Sequence, residues 1–182
     1  MKSKLPKRAK LVFKGKLWDV YQWKEKMFDG TYGTFEGLRK KSGVKIFATM
    51  NGKILIAEER QPGRGRYYTL FGGGIEKNET PLAAAKRELL EETGLASNKW
   101  KLLDTVDVLD YPRVDYYVHL FIARDCFRVG KQNLENGEKI NVLEVKFSQF
   151  IKLLRKNKRI FGPSVGKLLT DEKRLSFLKS KL

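Results

Sequence analysis

The stretch from Gly73 to Leu95 constrains this chain more than any other. Thr80 to Thr93 reads as a helix marked at both ends: Thr80 suits the cap, Pro81 the first turn and Gly94 the C-terminal exit. On that helix Glu88, Glu91 and Glu92 stand at i, i+3 and i+4, so three carboxylates share one face. Like charges at this spacing weaken an isolated helix by roughly 0.2–0.5 kcal/mol per pair. Solubility alone does not require them, and Lys86 and Arg87 point only partly their way. The opposite face carries Leu82, Ala85 and Leu89, with Ala83 and Leu90 beside them, and is expected to pack on a sheet.

A divalent cation resolves the repulsion. Hard cations take oxygen ligands, and Mg²⁺ (or Mn²⁺) bridges carboxylates to phosphates while keeping several waters. Such ions neutralise a diphosphate, polarise one phosphorus and lower the pKa of an attacking water. Gly72-Gly73-Gly74 precede the helix by a short loop. Glycine lets backbone approach a metal or phosphate closely, so a carbonyl there is a candidate ligand.

Taken together, Gly73-x5-Glu79-x7-Arg87-Glu88-Leu89-x-Glu91-Glu92-x-Gly94-Leu95 resembles the box of the Nudix hydrolase family at every defined position, over 23 residues. The resemblance implies an α/β/α sandwich with a mixed sheet, and hydrolysis of a nucleoside diphosphate linked to another group. It implies Glu88 and Glu92 as principal metal ligands, Glu91 as a further ligand or a base, and the Gly73 carbonyl as an additional ligand. By the same likeness Arg87 orients the glutamates, and Glu79 backs them or pairs with Arg87 and counts among the substrate-binding candidates.

The flanks fit a domain over residues 41–160, preceded by a β-rich segment, 1–40, and followed by a basic helical segment, 161–182. Residues 11–23 read as strand, Asp29-Gly30 as a turn, and Thr34–Lys40 as the returning strand. Val44–Met50 and Lys53–Glu59 are joined by Asn51-Gly52, the strongest hairpin signal in the chain. Tyr67–Phe71, Trp100–Leu109, Val114–Ala123 and Asn141–Phe147 read as strands, and Ser148–Lys156 and Val165–Leu178 as helices.

The N-terminal segment resembles that of ADP-ribose and nucleotide-sugar pyrophosphatases, where it helps to build a homodimer whose active sites use both chains. Arg60 and Gln61 look like the Arg-Gln pair at a strand end in those enzymes. The run Leu134–Ile140 looks like their late acidic loop, which implies Glu138, with Glu135 next, as the carboxylate that takes a proton from water. Pro112 stands farther past Leu95 than the proline marking the ADP-ribose group, which leaves the substrate open within this branch. Arg60, Arg64 and Arg66 either clamp phosphates or belong to a solvated loop tip. Trp18, Tyr21, Trp23, Phe28, Tyr111 and Tyr116 either stack a base or, as aromatics more often do, fill a core or an interface.

The formal charge of +17 sits at the ends: residues 1–16 carry +7, residues 152–182 carry +8, and everything between carries +2. Basic ends attract polyanions, nucleic acid among them, or simply solvate the surface; no nucleic-acid-binding motif accompanies them. One histidine, His119, builds no dyad, and one cysteine, Cys126, builds no intramolecular disulfide or Cys-rich zinc site. With no long apolar run and no secretory leader, a cytoplasmic setting without membrane partners is expected. The enzyme reading competes with two others: a nucleoside-triphosphate or RNA 5′-end pyrophosphohydrolase, and a non-catalytic module that binds nucleotide or RNA.

Overall fold

The structure, a computed structural model, describes residues 3–156 and 172–181. They divide into two compact units, one within Met1–Ser42 and Asp107–Tyr117, the other within Gly43–Val106 and Val118–Leu182. No helix among the described residues is long and apolar enough to cross a membrane.

The first unit is a four-stranded sheet in the order β1 (Lys10–Lys14), β2 (Asp19–Lys26), β3 (Tyr32–Arg39) and β9 (Val114–Asp115). The single strand expected over 11–23 is two. The chain turns between Gly15 and Trp18, where the Gly15 N–H donates to the Trp18 carbonyl at 3.1 Å. A side chain at Gly15 would meet that carbonyl, so the aromatic-rich pattern hid a turn. Asp115 is buried and accepts from Ser3 Oγ at 2.6 Å, the Lys4 N–H at 2.8 Å and Arg39 Nη2 at 3.1 Å. Trp23 is buried, Trp18 packs edge-on to Tyr116 and Arg39 lies over Tyr21, so these aromatics serve the unit's own packing. Phe28 is fully exposed.

The second unit is built on a sheet ordered β12 (Lys139–Val145), β5 (Lys53–Gln61), β4 (Gly43–Met50), β10 (Tyr117–Arg124) and β8 (Lys99–Asp107), with β6 (Gly65–Thr69) also paired to β5. β10 runs parallel to β4 and β12 antiparallel to β5, giving a mixed sheet. Asn51 and Gly52 both take positive φ, 52° and 71°, the two-residue turn this hairpin needs. β7 (Leu95–Ala96) and β11 (Phe127–Arg128) form a small ladder. Helix α1 (Pro81–Thr93) packs its buried Ala84, Ala85 and Leu89 with Val44, Ile46 and Ala48 of β4. Helix α2 (Phe147–Lys156) sets Phe150 edge-on to Phe47, whose side chain alternates to the other face of β4. Helices thus cover both faces, the expected sandwich. The expected helix Val165–Leu178 falls partly on 157–171, outside the described residues; α3 (Glu172–Lys181) is helical.

Local chemistry fixes α1. Thr80 Oγ1 accepts from the Ala83 N–H at 3.2 Å, and Gly94, at φ 70°, donates its N–H to the Leu90 carbonyl at 2.7 Å. The expected apolar face needs correction. Leu82 and Leu90 are exposed, and the buried stripe is Ala84, Ala85, Leu89, Glu92 and Thr93. The helix is rotated so that its acidic face and its packed face overlap at Glu92, because Ala85, Leu89 and Glu92 follow the helical period. Leu89→Ala is therefore expected to cost about 3 kcal/mol and Leu90→Ala under about 0.5 kcal/mol, measured by chemical denaturation; equal costs would contradict this orientation.

Candidate active site

The glycine loop is placed by a change of partner along β5. β4 pairs with β5 only from Ala48 to Met50, and beyond that point β6 takes the same edge, Ala57 facing Thr69. On leaving β6 the chain therefore runs back along β4: the Ile46 N–H donates to the Phe71 carbonyl at 3.0 Å and the Val44 N–H to the Gly73 carbonyl at 2.9 Å. This lays Gly72-Gly73-Gly74 under the acidic face of α1.

Glu92 is buried and accepts from the Gly72 N–H at 2.7 Å. Burial pushes its carboxyl up to about 7, the Lys45 ammonium and the Gly72 N–H working against that and the Glu88 and Glu59 carboxylates with it. Glu88 is likewise raised, chiefly by burial, against the opposing pull of Arg87. Its carboxylate fills the space beside Gly73, where an added Cβ would lie 2.6–2.9 Å from it.

Arg87 is the hub. Its Nε and Nη2 donate to the two Glu79 oxygens at 2.9 and 3.0 Å, its Nη1 to Glu88 at 2.9 Å and Glu91 at 3.0 Å, and Nη2 also to the Gly74 carbonyl at 2.9 Å. Glu79 is thus paired with Arg87, whose bonds hold its carboxyl below the ordinary range.

Two further carboxylates stand near, Glu59 on β5 and Glu138 in the loop before β12. Glu138, half-buried, is raised by burial and then by Glu59 and Glu135. Glu59 is buried and accepts from Gln61 Nε2 at 2.6 Å and from the Tyr67 hydroxyl, which burial and that carboxylate push upward. Arg64 lies over the Tyr67 ring at 3.8 Å. Arg60 and Arg66 stand opposite each other in the β5–β6 ladder, on the other face from Glu59 and Tyr67, and Arg66 pairs with Glu58 at 3.3 Å. The structure therefore brings Gly73, Glu79, Arg87, Glu88, Glu91 and Glu92 together, sets Glu138 in the field of Glu59 and Arg64 against Tyr67, and turns Arg60 and Arg66 to the other face of the β5–β6 ladder. His119 accepts or donates to Thr105 Oγ1 at 2.9 Å, and Cys126 is buried, its thiol pushed up to about 11 by burial.

Sequence reasoning missed Lys45, Glu59 and Tyr67. Lys45 is the only charged residue in the run Val44–Met50, and Glu59, two past Ala57, continues the inward-facing alternation of Leu55 and Ala57 with a charge; a charge on an otherwise buried strand face is the signal that would have found both.

Among the described residues no three His, Cys, Asp or Glu side chains converge on one point as they stand, because Arg87 holds Glu88 and Glu91 while Glu92 turns to Gly72. The donor set still fits a hard divalent cation. It is all oxygen, Gly73 leaves room that a Cβ would fill, and two of the three carboxylates pay for burial in a raised pKa that a cation would relieve. A hollow of about 380 Å³ between Thr93, Arg128, Gln132 and Asn141 lies elsewhere and carries none of these groups.

A pH dependence follows. The folded chain holds the Glu92 proton up to about 7, whereas the unfolded carboxyl loses it near 4.5. Folding without metal is therefore favoured below that window, and stability falls as pH rises from about 4.5 to about 7, by at most about 3 kcal/mol, then levels. Thermal unfolding of EDTA-treated protein should show this fall, and Glu92→Gln should flatten most of it. A wild-type profile that rises across the window would contradict the assignment.

The NUDIX domain model matches residues 39–165. ADP-ribose pyrophosphatase of Bacillus subtilis (strain 168) is 30% identical over 146 residues, covering 79% of this chain and 78% of that protein. Diphosphoinositol polyphosphate phosphohydrolase 3-alpha of Homo sapiens is 26% identical over 135 residues, covering 73% and 79%. A crystal structure of an ADP compounds hydrolase superposes with a TM-score of 0.73 at 18% identity, over 96% of this chain and 91% of that one, which is a likeness of fold.

Proposed function

The chain belongs to the NUDIX domain family and is a Nudix hydrolase; on that premise we propose that it cleaves a nucleoside diphosphate linked to another moiety, of ADP-ribose or nucleotide-sugar type, into a nucleoside monophosphate and a phosphorylated product. The observation that carries this reading is Glu92, a carboxylate placed in the buried stripe of α1 and aimed at Gly72 beside Glu88.

Glu88, Glu92 and the Gly73 carbonyl, with Glu91 beside them, would hold Mg²⁺ or Mn²⁺, which would act as a Lewis acid toward the diphosphate and acidify water. Arg87 fixes Glu88 and Glu91 through Nη1 while Glu79 anchors its other nitrogens. Glu138, raised above the ordinary carboxylate range by burial and like charge, would take the proton from the attacking water at its carboxylate. Arg64, stacked on Tyr67, offers a guanidinium to a phosphate or a flat surface to a ribose or base.

A homodimer through the first unit is supported by β1, an edge strand whose Leu11, Val12 and Phe13 are all exposed. The basic ends favour a second reading, a nucleoside-triphosphate or RNA 5′-end pyrophosphohydrolase in a cytoplasmic setting.

The test is a panel of ADP-ribose, UDP- and GDP-sugars, dinucleoside polyphosphates, NTPs, 5′-triphosphorylated RNA and a diphosphoinositol polyphosphate. Each is assayed with EDTA and then with Mg²⁺ or Mn²⁺. Metal-dependent release of a nucleoside monophosphate from a diphosphate-linked substrate is expected. Tight nucleotide binding without turnover under any metal would overturn the reading.

A further inference from the structure

Lys45 lies on β4 between Val44 and Ile46, both fully buried, and its side chain turns toward the glycine loop. Its ammonium donates to the Leu70 carbonyl at 2.8 Å and the Gly72 carbonyl at 2.9 Å. The N–H of the same Gly72 donates to Glu92. One glycine therefore holds a cation on its carbonyl and a carboxylate on its amide. The shared glycine sets the ammonium near the Glu92 carboxylate, and its charge works to lower the carboxyls of Glu92, Glu88 and Glu138. Those carboxylates come from two places in the fold, Glu88 and Glu92 from α1 and Glu138 from the loop before β12, and Glu59 of β5 acts on Glu92 and Glu138 in turn.

We propose that Lys45 is a resident cation of the carboxylate patch, anchored on the Gly72 and Leu70 carbonyls, which competes with divalent metal for the same negative charge and so sets how tightly the patch binds it. The inference rests on the metal-dependent reading of the site. A positive charge fixed at the rim of a metal site repels the incoming ion, and for a divalent cation about 6 Å from a unit charge even water-like screening leaves an effect on the order of tenfold. It also partly satisfies the carboxylates before metal arrives. This positioning role differs from a plain tether of the glycine loop, which would act through hydrogen bonds and not through charge.

The experiment is Mn²⁺ binding to the full chain without nucleotide, followed by electron paramagnetic resonance, for the wild type and for Lys45→Met, Lys45→Gln and Lys45→Arg. Lys45→Met and Lys45→Gln are expected to bind Mn²⁺ about tenfold more tightly at low salt, with the gain shrinking as salt is raised, and Lys45→Arg is expected to stay at the wild-type value. Lys45→Gln keeps a donor for the two carbonyls, so it tests charge even where Lys45→Met fails to fold. Unchanged or weaker binding in both neutral variants would overturn the proposal and leave Lys45 a tether. A wild-type chain that binds no Mn²⁺ would instead sink the metal-dependent reading, and this inference with it.

Discussion

Glu92→Gln is expected to lower turnover by at least about two orders of magnitude while leaving the chain folded. The amide matches the carboxylate in size, and its oxygen can still accept from the Gly72 N–H, so the buried stripe of α1 keeps its packing. What disappears is a negative charge that the fold carries at a cost. Burial pushes that carboxyl up to about 7, and a carboxyl so raised beside a second buried carboxylate is where a bound cation would favour the charged form. Glu91→Gln should lose activity to a comparable degree and change stability less, because Glu91 is more exposed and bound mainly by Arg87. Near-normal turnover in both variants, with purified and folded protein, would refute the assignment of the site.

The three consecutive glycines are expected to respond differently to alanine. Gly72 has φ 124°, and a Cβ there would sit 2.3 Å from the Val44 carbonyl oxygen, which belongs to a core strand and cannot move aside. Gly72→Ala should cost about 3–5 kcal/mol, combining backbone strain with the rupture of the loop's pairing to β4. At Gly73 the obstacle is the Glu88 carboxylate, a side chain that can swing away. Gly73→Ala should therefore spare most of the stability and lower activity by displacing Glu88. Gly74 meets nothing within 4 Å, so Gly74→Ala should stay within about 0.5 kcal/mol of the wild type. Denaturation midpoints and turnover measured on all three separate strain from chemistry; equal destabilisation at 72 and 74 would show that the loop is not clamped against β4 as described.

The sequence carried the parts of this site that rest on local rules. Thr80, Pro81 and Gly94 define α1 by capping, Asn51-Gly52 defines its hairpin by positive φ, and helical spacing gathers Glu88, Glu91 and Glu92. What it could not carry depends on packing. The rotation of α1, which buries Glu92 and exposes Leu82 and Leu90, is decided by which stripe meets β4, and the expected face shared only Ala85 and Leu89 with the buried one. The turn at Gly15–Trp18 was hidden in a β-rich composition. The faces of the β5–β6 hairpin depend on register, and one residue's shift in it would exchange Arg60 and Arg66 for Glu59 and Tyr67. Lys45 escaped notice because its significance is not in β4 but in the carbonyls of Leu70 and Gly72, some 25 positions away in sequence.

The central claim is that the acidic face of α1, against the glycine loop, gathers divalent cations onto a diphosphate. Anomalous diffraction from crystals grown with Mn²⁺ and a non-hydrolysable diphosphate-linked nucleotide tests it most directly. Manganese peaks bonded to Glu88 and Glu92, with the diphosphate against them, are the expected result. A bound nucleotide with no manganese at those carboxylates would contradict it.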